Sequence, residues 1–120
     1  MTGDRNDLLL GRLIRFAQKT IRLCQKLPKS PINSRLVSQA VGSTGSMASN
    51  YGEACEAESS LDFVYKIKIA KKEARESRVN LLLLHTANSN FSTEIEEIGR
   101  ENNEYIKIFS TIVKNSIKKK

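Results

Sequence analysis

The sequence predicts an all-α protein: an up-down-up-down four-helix bundle that forms a single domain over residues 1–120. Apolar residues recur with the 3.6-residue period of a helix, and no segment alternates with the period of a strand. Short breaks rich in proline, serine and asparagine divide the chain into four segments, each roughly 36–42 Å long at the helical rise. Helices of matched length with short connections are typical of this bundle class.

Local signals place the ends of each helix. Pro28 ends the first helix, because proline interrupts helical hydrogen bonding. Ser30 is the predicted N-cap of the second helix, and Pro31 occupies its first position. Thr93 and Glu96 have the spacing of a capping box at the start of the fourth. The predicted helices are residues 4–27, 31–56, 59–86 and 93–118.

The composition excludes several classes of protein. With 39% hydrophobic residues, two prolines and six glycines, the chain is neither collagen-like nor low-complexity nor disordered. No apolar run approaches the length of a membrane span. The first residues carry acids and lack the pattern of a secretory signal, so we expect a cytoplasmic protein. The net charge of +7 suggests a polyanionic partner.

Few residues are available for catalysis. Cys24 and Cys55 fall on apolar helical faces, and together with the single histidine, His85, they are too few for a Cys/His zinc site. No glycine-rich phosphate loop is present. The conceivable reagents of an enzyme match no known mechanism: Glu53, Glu56, Glu58 and His85. We therefore expect a protein that is not an enzyme and has no cofactor or metal.

The apolar arcs of helices one and four are wider than one small core requires. Leu9, Leu13 and Phe16 belong to the arc of helix one. Surplus apolar surface is typical of a subunit interface, so we expect a homo-oligomer; the alternative is a wide core face in a monomer. Residues 36–52 carry no charge and include two interior glycines, Gly42 and Gly45. We expect helix two to be enclosed by its own bundle, a neighbouring subunit or both; the alternative is a kinked or partly broken helix near residues 42–45.

Positive charge is concentrated on two helical ridges. The ridge of helix one repeats at spacings of 3, 4, 3 and 4 and contains Arg12, Arg15, Lys19, Arg22 and Lys26. The ridge of helix three contains Lys68, Lys71, Arg75 and Arg78. Helix four is acidic early and basic late, which suits the helix dipole. The ridges favour binding to the phosphate backbone of RNA or DNA, and the alternative is two solvated faces.

One segment of helix two carries a specific pattern. Ser46, Asn50, Tyr51, Glu53 and Ala54 follow the order Ser-x-x-x-Asn-Tyr/Ile-x-Glu-Ala/Gly. The pattern continues into helix three as Asp62-Phe63, Lys66-Ile67 and Lys72-Glu73-Ala74-Arg75-Glu76. Over about residues 37–85 the chain resembles the bacterial four-helix bundle proteins related to those encoded in intervening sequences of 23S ribosomal RNA.

The resemblance implies a ring-like homo-oligomer, typically a pentamer. It also implies a distant relationship to the accessory protein of diversity-generating retroelements, a basic pentamer that binds nucleic acid and a reverse transcriptase. The partners expected are therefore further copies of the chain, RNA or DNA, and a reverse transcriptase, without a membrane. A protein-interaction scaffold is the alternative function. Gly42 and Gly52 stand where related sequences commonly have arginine, so we expect helix two to add no basic contact.

The motif residues also have a structural interpretation. Asn50 and Glu53 lie three residues apart on an uncharged helix, where a buried polar pair would fix the packing or contact a second subunit. Tyr51 lies between them as a further structural or interface candidate. Asp62 and Lys66 have the spacing of an ion pair across one helical turn.

Overall fold

The computed structural model describes residues 5–118, with side chains from Leu8 to Ile117. Four antiparallel helices form an elongated bundle of 48 × 26 × 21 Å. They are α1 (Arg5–Lys26), α2 (Pro31–Cys55), α3 (Ser60–Ala87) and α4 (Ser92–Lys118), with one 3-10 turn, Ser89–Phe91, before α4. Each helix packs beside the next along the chain, and α4 returns beside α1. The predicted all-α class and helix count are confirmed for the described residues.

The helix ends follow from capping. Ser30 Oγ accepts a hydrogen bond of 3.0 Å from the Asn33 amide, and Ser59 Oγ accepts one of 3.1 Å from the Asp62 amide. The observed helix ends lie within one residue of the predicted ends, although the predicted start at residue 4 and the final Lys119 and Lys120 lie outside the described residues.

The predicted capping box at Thr93 is wrong. The 3-10 turn brings the chain into helical geometry early, and α4 begins at Ser92. Thr93 therefore lies inside the first turn, and the Glu96 carboxylate bonds the His85 ring instead of reaching back to the helix start.

Aromatic residues from different helices meet in the core. Phe16 of α1 packs edge-on against Tyr105 of α4, with ring centroids 5.2 Å apart. Tyr51 of α2 lies near Phe109 of α4, at 6.2 Å between centroids. All four side chains are buried, and each contributes about 1.5–3 kcal/mol to folding as a large apolar group removed from water.

Two buried asparagines join the connections at one end of the bundle. Asn33 Nδ2 donates to Asn88 Oδ1 at 2.8 Å, and Asn88 Nδ2 donates back to Asn33 Oδ1 at 2.9 Å. The same amide groups also donate to the carbonyls of Pro28 and Leu84. This closed network fixes the start of α2 against the end of α3, because every amide group in it has a partner.

Helix α2 runs unbroken through its glycines, so the alternative of a partly broken helix near residues 42–45 is wrong. A Cβ added at Gly42 or Gly45 would meet no atom within 4 Å. The described bundle therefore does not enclose α2 at these glycines, and it leaves an uncharged outer face on that helix.

Candidate nucleic-acid interface

Three of the five cations of the α1 ridge bond to acids of α4. Antiparallel packing brings the two helices together in a seam that the sequence of α1 alone does not reveal. The pairs are Arg12–Glu104 at 3.3 Å, Lys19–Glu101 at 2.6 Å and Lys26–Glu94 at 2.5 Å. The acids that begin α4 thus neutralise much of the ridge predicted to bind phosphates.

Arg12 is held by a second contact. Its guanidinium carbon lies 5.3 Å from the ring centroid of Tyr105, a cation–π geometry. The Tyr105 hydroxyl donates to Glu101 Oε2 at 2.5 Å. Burial first, and then this hydrogen bond, raise the pKa of Tyr105 above its ordinary value, so the hydroxyl remains a donor. Arg12, Glu101 and Tyr105 together form a structural contact between α1 and α4.

The remaining two cations of the α1 ridge lie in mixed surroundings. Arg15 extends over Gly11, where a Cβ would come within 3.3 Å of its Nη1 atom. Arg22 lines a shallow groove with Glu94 and Glu97 of α4. An interface selective for polyanions requires an excess of one charge sign, and the acids of α4 reduce that excess on the α1 side of the bundle.

The ridge of α3 lies outside this seam. Lys68, Arg75 and Arg78 are exposed and Lys71 is half-buried, and none of the four takes part in an ion pair among the described residues. By helical spacing, Lys71 and Arg78 point toward the flank of α3 that faces α4, and the other two lie further out.

Helix α4 adds a strip of cations to the same side. Arg100, Lys107 and Lys114 recur every seven residues, are all exposed, and span about 21 Å along the helix. Arg100 and Arg78 line one groove between the two helices, which fixes the strip beside the α3 ridge. We call the combined surface the basic face: Lys68, Lys71, Arg75, Arg78, Arg100, Lys107 and Lys114.

The sequence prediction omitted the α4 half of the basic face. The available signal was the seven-residue spacing, which keeps side chains on one side of a helix. Glu96, an acid on the same flank, is bonded through Oε2 to His85 Nε2 at 2.9 Å. The basic face therefore combines cations from two helices without an opposing row of acids such as the one that flanks α1.

Apart from Glu53, the predicted structural and interface candidates lie inside the chain's own core or close to it. Leu13, Phe16 and Tyr51 are at most 2% exposed, and Leu9 is half-buried. Asn50 Nδ2 donates to the carbonyl of Ser46, one turn back along α2.

The predicted pairings of Asn50 with Glu53 and of Asp62 with Lys66 are wrong. Glu53 is exposed and accepts a hydrogen bond of 2.6 Å from Lys66 Nζ, which joins α2 to α3. That hydrogen bond raises the pKa of Lys66. The inter-helix partner replaces the one expected within α3.

The residues considered as catalytic reagents do not converge. His85 lies near the end of α3, beside the start of α4, whereas Glu53 lies near the end of α2 at the opposite end of the bundle. No group of three His, Cys, Asp or Glu side chains in the described part of the chain could hold a metal ion. None of the described helices combines the length and hydrophobicity that crossing a membrane requires.

Comparison with known proteins identifies two similarities. Residues 10–111 match the family model described as 23S rRNA-intervening sequence protein. A solved structure from Bacteroides thetaiotaomicron, described as a protein of unknown function from the S23 ribosomal protein family, superposes with a TM-score of 0.77. It is 27% identical in sequence, and the alignment covers 88% of this chain and 97% of that one. No match was found among the curated proteins compared.

Proposed function

Because the chain belongs to the 23S rRNA-intervening sequence protein family, we propose that it is a non-enzymatic, homo-oligomeric bundle that binds the phosphate backbone of RNA or DNA. The observation that carries this proposal is the basic face, where seven cations from α3 and α4 have no ion-pair partner among the described residues. Unpaired lysines and arginines along a strip are the groups that replace condensed counterions on a nucleic acid.

The mode of binding follows from the chemistry of that face. Its seven residues include no aromatic side chain, and the single exposed tyrosine one turn before Lys68, Tyr65, is not the multi-residue stacking surface of an RNA-recognition module. Its contacts are therefore charge-assisted hydrogen bonds to phosphates, which position the nucleic acid without selecting a sequence. Affinity is expected to fall steeply with salt concentration.

Assembly of several copies would multiply the number of phosphate contacts. Ile14 and Ile21 of α1 remain 44% and 40% exposed, on the flank of α1 whose Leu10 lies against Gly52 of α2. By helical spacing the open Gly45 lies on the same side of α2 as Gly52. A second apolar patch lies on α3 at Val79 and Leu83. We propose that the first patch of one copy packs on the second patch of the next in a closed ring, for which the family resemblance implies five subunits.

A matched pair of triple variants tests the proposed function. Lys71→Gln/Arg75→Gln/Lys107→Gln removes three of the seven cations of the basic face, whereas Arg12→Gln/Lys19→Gln/Lys26→Gln removes the same charge from the α1–α4 seam. With a 20-nucleotide single-stranded RNA at fixed salt, we expect the first triple to weaken binding more than tenfold and the second about threefold or less. Absence of wild-type binding at low salt would overturn the proposal.

A partner protein that stays bound to the chain after nuclease treatment would instead favour the scaffold function. A reverse transcriptase is one candidate for that partner.

A further inference from the structure

A groove of about 270 Å³ opens between α3 and α4 at one end of the basic face. Ile95 and Gly99 form its floor, and Leu82, which is 60% exposed, forms one wall. The polar side chains that line it are Arg78, Arg100, Asn103, His85 and Glu96. The single acid among them, Glu96, is bonded to His85, so the groove combines an apolar floor with two guanidinium groups and an amide that have no such partner among the described residues.

Gly99 keeps the floor of this groove open. It lies in the interior of α4, where glycine is less favourable than alanine by about 1 kcal/mol. A Cβ built on Gly99 would meet no atom within 4 Å, so the packing of the described chain does not require a glycine here. Any larger residue would instead project into the groove.

The lining chemistry matches a nucleotide rather than a bare anion. Arg78 and Arg100 have no ion-pair partner in the described part of the chain, so both can donate to one phosphate group. The exposed apolar side chain of Leu82 offers contact to the face of a base. The amide of Asn103 supplies both a donor and an acceptor for a base edge.

We infer that this groove holds one unpaired nucleotide of the bound strand, so that the protein prefers single-stranded to fully paired nucleic acid. The inference rests on the proposed nucleic-acid binding and specifies the form of the ligand. A base must leave its stack to reach the groove, which is inexpensive in a single strand and costs a few kcal/mol in a duplex. Charge complementarity favours this occupant over an apolar side chain from a second copy, because two arginines stand at the rim.

Gly99→Leu tests the inference by filling the groove, with Gly99→Ala as the matched control that improves helix propensity but leaves most of the space. The probes are a 12-nucleotide single-stranded RNA and the duplex of the same sequence. We expect the wild type and Gly99→Ala to bind the single strand about tenfold more tightly than the duplex. Gly99→Leu should lose that difference while its duplex affinity and melting temperature stay unchanged or rise.

A second variant covers the case in which Gly99→Leu does not fold. Leu82→Gln changes an exposed side chain without altering charge, and it should reduce the single-strand preference about fivefold. Equal wild-type affinity for the two RNAs would overturn the groove assignment and leave the proposed function intact. A lower molecular mass for Gly99→Leu would overturn it in favour of a subunit contact. Absence of binding to either RNA would remove both proposals.

Discussion

At Arg12, two contacts on neighbouring residues of α4 decide the role of a side chain that sequence alone assigns to nucleic acid. Glu104 pairs with the guanidinium and the Tyr105 ring lies beneath it, yet the side chain stays 44% exposed. An exposed pair of this kind contributes at most about 1 kcal/mol to stability. Its larger effect is on function, because the bonded cation is less available to a phosphate.

The buried Asn33–Asn88 pair is expected to behave as one unit. Each of Asn33→Ala and Asn88→Ala leaves a buried amide without its partner and should lower the free energy of unfolding by about 2 kcal/mol. The double variant should lower the free energy of unfolding by about 1 kcal/mol less than the two single variants added together, because neither amide group remains to be satisfied. Urea denaturation measures all three values.

Asn90→Ala is the control for this cycle, because Asn90 is an exposed asparagine in the 3-10 turn. It should change stability by no more than about 0.5 kcal/mol. Strict additivity of Asn33→Ala and Asn88→Ala would show that the amide–amide contact does not join the two connections.

Cys24 is expected to react slowly with alkylating reagents. Burial raises the pKa of its thiol from 9.0 to about 11, and the reactive species is the thiolate. At pH 8 the folded protein should therefore be labelled by iodoacetamide at Cys24 at least about a hundredfold more slowly than the urea-unfolded protein. Peptide mapping by mass spectrometry reads out the labelled site.

The raised pKa of the Cys24 thiol also makes the stability of the protein depend on pH. The neutral thiol is favoured in the folded state, so this contribution to stability is complete below pH 9 and declines as the pH rises toward 11. Labelling of Cys24 at equal rates in the folded and unfolded protein would contradict its burial.

At the scale of single helices, the sequence was sufficient to place their ends. Pro28, Ser30 and Ser59 act on their nearest neighbours, so their effect is visible in the local sequence. Thr93 misled the prediction because the 3-10 turn, which no local signal specified, starts α4 one residue earlier.

The positions of charges relative to one another could not be predicted from single helices. The α1 ridge is free of acids within its own helix, and only the antiparallel register of α4 brings Glu94, Glu101 and Glu104 beside it. The same register places Arg100 near Arg78. The α3 half of the basic face was therefore predicted, whereas the α4 half depends on tertiary packing.

At the scale of the whole molecule, exposed apolar residues on two sides of the bundle support assembly. Ile21→Glu should disrupt the patch of α1 and α2 and reduce the mass measured by light scattering toward that of one 13.5 kDa chain. Ile32→Glu is the control, because Ile32 is 65% exposed and lies by helical spacing on the opposite flank of α2. A wild-type mass of one chain, or dissociation by Ile32→Glu alone, would contradict the proposed interface.

The salt dependence of RNA binding tests most directly the claim that the basic face, and not the α1 ridge, contacts phosphates. The slope of log K against log salt concentration counts the phosphates neutralised. For the single-stranded RNA, Lys71→Gln/Arg75→Gln/Lys107→Gln should reduce this slope by about two to three relative to the wild type. Arg12→Gln/Lys19→Gln/Lys26→Gln should leave it unchanged, because those cations already bond to Glu104, Glu101 and Glu94. An equal reduction by both triples, or a reduction by the second alone, would contradict the account.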